Sequence, residues 1–325
     1  MRAVTISAPG GPAKLTPFDV NPGEPGAGEL LVDVAAAGVN RADLLQRAGH
    51  YPPPPGAPEW PGLEISGTVR RLGPGVRGWE VGDQVVALLE GGGYAEQAVV
   101  RAAQTLPVPA GVDLVDAAAL PEAVCTAWTN LVDTGGLGAG DRVLVQGGSG
   151  GVGSIAVQLA AALGAHVLTT AGGPDRAARC LDLGAEVAVD HRSEDVVAAV
   201  REATGGRGVD VVLDVLGGGG LRDNVRLLAT GGRLVVIGLQ RGARGELDLG
   251  ALMAKRAWVT GTTLRSRDAG EKAALVAAVR DRVWPLIEDG AVRPVVHARL
   301  PLEDAPRAHE LLESGAPFGK VLLVP

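Results

Sequence analysis

The chain has few cysteines, few aromatic residues and no run of charge of one sign. Its 325 residues include 2 Cys, 2 Tyr, 2 Phe and 5 Trp, and the formal net charge is −7. Two cysteines, Cys125 and Cys180, exclude a disulfide scaffold and are typical of a reducing cytosol. Without a basic run, nucleic acid and an anionic membrane are not expected as partners. We therefore predict a cytoplasmic protein whose partner is a small molecule.

The sequence also predicts neither a targeting segment nor a membrane span. Residues 1–6 are typical of a first strand rather than of a charged leader followed by an apolar core. The most apolar long stretch, residues 154–171, contains Gln158, Gly164 and His166 and divides better into a helix and a strand.

Residues that bind metals are scattered. Neither cysteine has a Cys or His partner at the short spacing that zinc ligands usually show, and the 5 His are dispersed. The sequence therefore predicts no metal site.

The length predicts about two domains. The first third contains short apolar runs, such as 30–34, 65–72 and 84–89, separated by Gly and Pro, which indicates a small barrel-like β domain. From about Ala117, strand-like and helix-like runs alternate, which indicates a parallel sheet covered on both faces. Residues 258–264 are expected to form the last strand at the sheet edge. Beyond them we expect helices at 269–287 and 302–314, and a strand at 320–324 that returns to the first domain.

One glycine-rich segment carries the strongest chemical signal. Gly148, Gly150 and Gly153 match G-x-G-x-x-G between a predicted strand, 142–146, and a predicted helix, 153–163. Such glycines permit a tight turn and close approach of a pyrophosphate to a helix N-terminus. The alternative is a glycine-rich turn without a ligand.

The identity of the dinucleotide is indicated by the end of the next strand. An NAD site usually has Asp or Glu there, whereas this chain reads Thr-Thr-Ala-Gly-Gly-Pro over 169–174. Arg176 lies one turn further on and could bind a 2′-phosphate, although it could equally be a solvated helix residue. We therefore predict NADPH as the cofactor, with Asp175 pointing outward.

Several longer motifs, in order, resemble the medium-chain dehydrogenase/reductase superfamily over essentially the full length. Within it the chain is similar to the zinc-free quinone oxidoreductases, and most to the tumour-suppressor-inducible branch. The motifs are Gly38-Val-Asn-Arg-Ala-Asp-Leu-Leu-Gln-Arg47, Tyr51-Pro-Pro-Pro-Pro-Gly56, Gly62-Leu-Glu-Ile-Ser-Gly67, Leu120-Pro-Glu-Ala123 with Thr126-Ala127, and Thr262-Thr-Leu-Arg-Ser-Arg-Asp268.

The resemblance implies an α/β architecture with two domains. A GroES-like β-rich substrate domain, 1–119 and 265–325, would accompany a Rossmann domain with a doubly wound parallel sheet, 120–264, with NADPH and substrate meeting between them. It also implies a homodimer paired through the last Rossmann strands. Zinc-dependent relatives have ligands at the position of Asn40, within the stretch Gly62-Leu63-Glu64 and at the position of Glu122, so the resemblance implies no metal.

The resemblance further implies the site residues. Tyr51 would donate a hydrogen bond to a quinone oxygen, and Asn40 would offer an amide donor and a carbonyl acceptor near the nicotinamide. The alternatives are a packing tyrosine, a turn-capping asparagine and, for Lys320, a lysine guarding a strand edge. Relatives often have Ser at Gly150 and Tyr at His191, where Arg192 could reinforce the preference for a 2′-phosphate. The implied cofactor-binding residues are Asn40, Thr126, Gly148, Gly150, Gly151, Val152, Gly153, Gly172, Arg176, His191, Leu239, Leu264, Arg265, Phe318 and Lys320.

These features predict an NADPH-dependent quinone oxidoreductase that transfers hydride without a metal. One alternative is a reductase of α,β-unsaturated carbonyls or enoyl thioesters. Another is a non-catalytic NADPH-binding sensor or structural protein.

Overall fold

The computed structural model describes residues 1–325, which form two compact units. Unit 1 contains Met1–Cys125, Leu264–Asp289 and Pro294–Pro325, and unit 2 contains Thr126–Thr263 and Gly290–Arg293. The strands are β1 Arg2–Ile6, β2 Leu15–Asp19, β3 Glu29–Val39, β4 Glu64–Leu72, β5 Gln84–Leu88, β6 Gln97–Arg101, β7 Thr105–Pro107, β8 Arg142–Val145, β9 His166–Ala171, β10 Val187–Asp190, β11 Val209–Asp214, β12 Leu228–Val236, β13 Trp258–Gly261, β14 Val296–Pro301 and β15 Lys320–Val324. The α-helices are α1 Arg41–Arg47, α2 Pro121–Trp128, α3 Gly151–Ala162, α4 Pro174–Leu181, α5 Val196–Ala203, α6 Leu221–Leu227, α7 Leu249–Lys255, α8 Ala269–Arg282, α9 Trp284–Glu288 and α10 Ala305–Glu313.

Unit 1 is built on a seven-stranded sheet in the order β14-β15-β3-β4-β5-β7, with β6 also paired to β3. The long strand β3 is mostly buried, and Leu30, Val32 and Val34 belong to the core of this unit. The strand predicted at 320–324 does return to this sheet, where β15 lies between β14 and β3. Residues from both ends of the chain therefore share one core.

Unit 2 is a six-stranded parallel sheet in the order β10-β9-β8-β11-β12-β13. This order reverses at β8, and in such sheets ligands bind beyond the carboxyl ends of the strands at the reversal. The central strands β8 and β11 bury apolar runs, Val143–Val145 and Val211–Leu213, as expected for a parallel sheet covered by helices on both faces. Strand β13 is the sheet edge, as the sequence predicts, although it ends at Gly261 rather than at 264.

Two predicted helices differ from the observed ones. The helix expected over 269–287 divides into α8 and α9, because Pro285 has no N–H and Val283, at φ −108°, ends the first segment. The helix expected over 302–314 begins with a 3-10 turn, Leu302–Asp304, and α10 follows with a proline in its first turn. No helix is both long and apolar enough to cross a membrane.

Candidate active site

The glycine-rich loop joins β8 to α3. Its three motif glycines differ in how much room each position leaves for a side chain. A Cβ on Gly148 would lie 2.1 Å from the Thr169 hydroxyl, and one on Gly153 would lie 2.1 Å from the Gly147 carbonyl oxygen. A Cβ on Gly150 would meet nothing nearer than 3.4 Å. The fold therefore requires Gly148 and Gly153, whereas Gly150 leaves open space at the start of α3, where no side chain caps the first turn.

Polar side chains from neighbouring strands hold this loop. The Thr170 hydroxyl accepts a hydrogen bond from the Gly147 amide at 3.0 Å and donates to Gln146 Oε1 at 2.8 Å. Gln146 Nε2 in turn donates to Asn224 Oδ1 at 2.8 Å. Sequence reasoning missed these supports, although small polar residues at the strand ends flanking a glycine motif are a recognisable signal.

The turn after β9 is covered by side chains from the end of β10. Ala171 pairs with Asp190, so Gly172 stands beside His191. A Cβ on Gly172 would lie 3.1 Å from Arg192 Nε and 3.2 Å from His191 Nε2. The Asp190 carboxylate accepts hydrogen bonds from the amides of Gly173 and Arg192, which hold its pKa below its ordinary value. Asp190, at the end of β10, therefore fixes the turn that follows β9, and the His191 and Arg192 side chains lie over that turn.

The other predicted residues of unit 2 lie in three different places. Arg176 is the third residue of α4 and is half-buried. Leu239 is exposed in the segment after β12. Thr126 lies in α2, where its carbonyl accepts a hydrogen bond from Asn130 Nδ2 at 2.8 Å.

In unit 1, Asn40, Glu64 and Lys320 form a buried polar cluster. The Lys320 ammonium donates to Asn40 Oδ1 at 2.7 Å and to Glu64 Oε1, and Asn40 Nδ2 donates to Glu64 Oε1 at 2.8 Å. Glu64 Oε2 accepts from the backbone amide of Glu122 at 2.8 Å. Because β15 is an interior strand and Lys320 is 3% exposed, the alternative of a lysine guarding a strand edge is wrong.

This cluster restricts what Asn40 can offer to a ligand. Its amide nitrogen already donates to Glu64 and, over 3.3 Å, to the Gly38 carbonyl. An amide nitrogen carries two hydrogens, so both are engaged, and Oδ1, which accepts from Lys320 and faces the Asp43 amide in the capping box of α1, is left as the acceptor. The resemblance implies that Asn40 offers both a donor and an acceptor, whereas within unit 1 it is available as an acceptor.

Tyr51 lies against Arg265. The guanidinium carbon is 5.3 Å from the centre of the Tyr51 ring, and Nη1 donates to the Tyr51 carbonyl at 3.2 Å. Burial and the Glu122 carboxylate raise the pKa of the Tyr51 phenol, and the Arg265 cation opposes them. Leu264 and Phe318 are buried in the same unit.

A second buried network in unit 1 was not foreseen from the sequence. The Tyr94 hydroxyl contacts Asp43 Oδ2 and His309 Nε2, each at 3.1 Å, and Arg47 Nη1 contacts His309 Nδ1 at 3.2 Å. Asp43 also accepts hydrogen bonds from the amides of Asn40 and Gly62. Burial raises the pKa of Asp43 to about 6 and lowers the pKa of His309 to about 3. The network fixes the start of α1 immediately after Asn40.

Comparison with known proteins connects these features to a family. Residues 26–110 match the alcohol dehydrogenase GroES-like domain, and residues 151–279 match the zinc-binding dehydrogenase family. The quinone oxidoreductase of Rattus norvegicus is 33% identical over 329 aligned positions, covering 100% of this chain and 98% of the relative.

Solved structures agree over the whole chain. The crystal structure of Escherichia coli quinone oxidoreductase complexed with NADPH has a TM-score of 0.90 and 32% identity, and covers 100% of both chains. A crystal structure described as an NAD-dependent alcohol dehydrogenase has a TM-score of 0.89 and 34% identity, again with 100% of both chains covered.

The zinc ion implied by one family description does not fit the residues present. No group of three or more His, Cys, Asp or Glu side chains is placed to hold a metal ion. The Lys320 ammonium already contacts the Glu64 carboxylate. Burial raises the pKa of the Cys125 thiol well above its ordinary value, which disfavours the thiolate that zinc requires.

The two-part architecture, the glycine-rich loop at the strand reversal and the full-length similarity agree with one another. The chain belongs to the medium-chain dehydrogenase/reductase superfamily, and within it to the quinone oxidoreductase family.

Proposed function

We propose that this protein is a cytoplasmic NADPH-dependent quinone oxidoreductase that transfers a hydride without a metal. The observation that carries the proposal is the pair of side chains, His191 and Arg192, lying over Gly172 beyond the glycine-rich loop. Two buried, unpaired cysteines are consistent with a reducing compartment.

We assign the cofactor to residues of unit 2. The open space at Gly150 and the uncapped first turn of α3 suit a pyrophosphate, which needs N–H donors and close approach. His191, Arg192 and Arg176 suit the 2′-phosphate, because Arg presents a fork of donors to phosphate oxygens. When bound, the nicotinamide supplies the hydride.

In unit 1 we assign the acceptor chemistry to Tyr51 and Asn40. A quinone is itself a good hydride acceptor, so its oxygen needs only a hydrogen-bond donor as negative charge develops. The Tyr51 phenol is the donor that we assign, because the Arg265 guanidinium holds the residue in place and a phenol is protonated at neutral pH. Asn40 Oδ1 would orient a donor group of the ligand, such as a carboxamide or a hydroxyl.

We also propose a homodimer in which β13 strands pair edge to edge. This strand pairs only with β12, so its other side presents free N–H and C=O groups. Trp258 on the strand is 70% exposed, and Met253 on α7 is 76% exposed. Exposed apolar side chains beside an unpaired edge favour pairing with a second copy.

The test measures NADPH and NADH oxidation with 1,4-benzoquinone, 9,10-phenanthrenequinone and a 2-alkenal in parallel. Quinone turnover with a preference for NADPH would support the proposal. Much faster turnover of the alkenal would indicate a reductase of α,β-unsaturated carbonyls. NADPH binding without turnover of any acceptor would indicate a non-catalytic sensor or structural protein.

A further inference from the structure

Lys272 is a buried cation that the proposed chemistry does not use. It lies on α8, is 1% exposed, and its Nζ donates to Glu90 Oε1 at 2.6 Å and to the Arg265 carbonyl at 2.7 Å. Burying an ammonium has a large desolvation cost, and a buried ion pair often adds no stability over apolar residues of the same volume. The position of this lysine therefore calls for a reason other than stability.

Lys272 and its partner Glu90 both hold Arg265. The Arg265 guanidinium donates through Nε to the Glu90 carbonyl at 2.7 Å, so Glu90 binds Lys272 with its side chain and Arg265 with its backbone. Lys272 in turn holds the Arg265 carbonyl. Arg265 is thus fixed at its backbone and at its side chain by one ion pair.

Arg265, held in this way, contacts both the backbone and the ring of Tyr51. Its Nη1 donates to the Tyr51 carbonyl, its cation lies 5.3 Å from the ring centre, and the residue is 5% exposed. The Nη2 atom of Arg265 is buried and has no hydrogen-bond partner. The position of the guanidinium therefore leaves one of its donor groups without an acceptor. A cation held against the ring stabilises the phenolate, and this effect depends steeply on the position of the cation.

We propose that Lys272 is a positioning residue that, paired with Glu90, holds the Arg265 cation against Tyr51 and so sets the acidity of the phenol. The inference rests on the proposed function, in which Tyr51 donates a hydrogen bond to the acceptor. The charged groups around the phenol are Glu122 and Arg265, with Glu90 and Lys272 behind Arg265. Glu122 favours the neutral phenol, and Arg265 favours the phenolate.

The phenol can be observed directly because the chain contains only 2 tyrosines. Tyrosine isotopically labelled at Cζ gives one resonance for Tyr51 and one for Tyr94, and a Tyr51→Phe variant assigns them. Burial raises the pKa of Tyr94 well above its ordinary value, so Tyr51 titrates first. In Arg265→Met we expect the Tyr51 pKa to rise by about one pH unit, because a neighbouring cation is lost.

Lys272→Met tests the positioning role itself. We expect a smaller rise of the Tyr51 pKa, a fall in kcat for quinone of about tenfold, and a KM within about twofold of the wild type, since misplacement of a group mainly affects the transition state. Lys272→Arg should restore part of the loss. The control is Arg280→Met on the same helix, where the exposed arginine pairs only with its neighbour Asp281.

A folded Lys272→Met variant with the wild-type Tyr51 resonance and pKa would overturn the inference and leave a structural role only. If this variant does not fold, the double variant Lys272→Met with Glu90→Leu removes both charges and is expected to fold. The same shift of the Tyr51 pKa is expected in it, and its absence would again overturn the inference. Unchanged quinone turnover in Tyr51→Phe would contradict the proposed donor, whereas the titration decides the positioning role separately.

Discussion

His309 donates its Nε2 hydrogen to the Tyr94 hydroxyl, over 3.1 Å. The direction follows from Arg47, whose guanidinium can only donate and therefore requires an acceptor at His309 Nδ1. The Tyr94 hydroxyl then donates onward to Asp43 Oδ2. The neutral histidine is fixed in one tautomer, and the hydrogen bonds all run toward the carboxylate.

The opposite pKa shifts of Asp43 and His309 predict how stability depends on pH. Asp43 has its pKa raised to about 6 on folding, so its contribution to stability is complete below about pH 4 and is lost as pH rises through 6. His309 has its pKa lowered to about 3, so its contribution is complete above its unfolded pKa and is lost as pH falls toward 3. Between about pH 4 and 6 the two contributions change in opposite directions and largely cancel.

Single variants should remove this cancellation. From pH 6 to 4, the unfolding free energy of His309→Gln should rise relative to the wild type by about 3 kcal/mol, and that of Asp43→Asn should fall by a similar amount. Urea denaturation at several pH values measures both differences. Two differences that stay constant with pH would contradict the prediction.

Arg192→Ala should weaken NADPH binding about tenfold and leave NADH binding unchanged, because a charge-assisted contact to the 2′-phosphate is lost. Calorimetry with NADPH, NADH and 2′,5′-ADP measures this. The control is Arg201→Ala, which removes an exposed charge in the last turn of α5. Equal weakening of NADH and NADPH would show that Arg192 does not contact the 2′-phosphate.

Alanine at two glycines of the loop should have different effects. Gly153→Ala would place a Cβ 2.1 Å from the Gly147 carbonyl oxygen. We therefore expect the free energy of unfolding to fall by several kcal/mol, or the variant not to fold. Position 150 has room for a Cβ, so the unfolding temperature of Gly150→Ala should stay within a few degrees of the wild-type value. NADPH binding should weaken, because the added methyl group would obstruct the pyrophosphate. Wild-type NADPH affinity in Gly150→Ala would argue against a pyrophosphate at this position.

Lys320→Met should destabilise the protein by about 3–5 kcal/mol, because Glu64 would remain buried without its cation. Chemical denaturation checks this, with Lys14→Met as the control at an exposed lysine of the same unit. A difference below about 1 kcal/mol would show that the fold does not depend on the contact between the ammonium and the buried Glu64 side chain.

Trp258→Lys should convert the proposed dimer to a monomer, because a charged side chain on an edge strand opposes pairing. Light scattering after gel filtration gives the mass. Val81→Lys, which changes an exposed apolar residue of unit 1, is the control. A wild-type protein that is already monomeric at micromolar concentration would refute pairing through β13.

The sequence predicted what depends on local pattern. The loop at 148–153, its flanking strand and helix, and the edge strand predicted at 258–264 and observed over 258–261 follow from glycine spacing and from runs of apolar residues. The break before Pro285 is indicated by the proline itself, which cannot donate a backbone hydrogen bond within a continuous helix.

The polar networks could not be predicted in this way. Arg265 and Tyr51 are separated by 214 positions, and Lys272 and Glu90 by 182. No periodicity links such positions, because their proximity is created by the sheet that brings distant segments together. The availability of Asn40 as an acceptor likewise depends on Lys320, which is 280 positions away.

The interior place of β15 has a consequence for synthesis. Strand β3 lies near the start of the chain, but one of the strands paired with it is residues 320–324. That strand also carries Lys320, whose ammonium contacts Glu64. Until residues 320–324 have been translated, the chain lacks the strand that pairs with residues 37–39 of β3 and the ammonium that contacts Glu64. Residues 126–263, by contrast, contain all six strands of their own sheet. The first part to be translated therefore cannot complete its sheet until the last strand is made, and a premature stop before residue 320 would remove that strand while leaving all six strands of the unit 2 sheet in the chain.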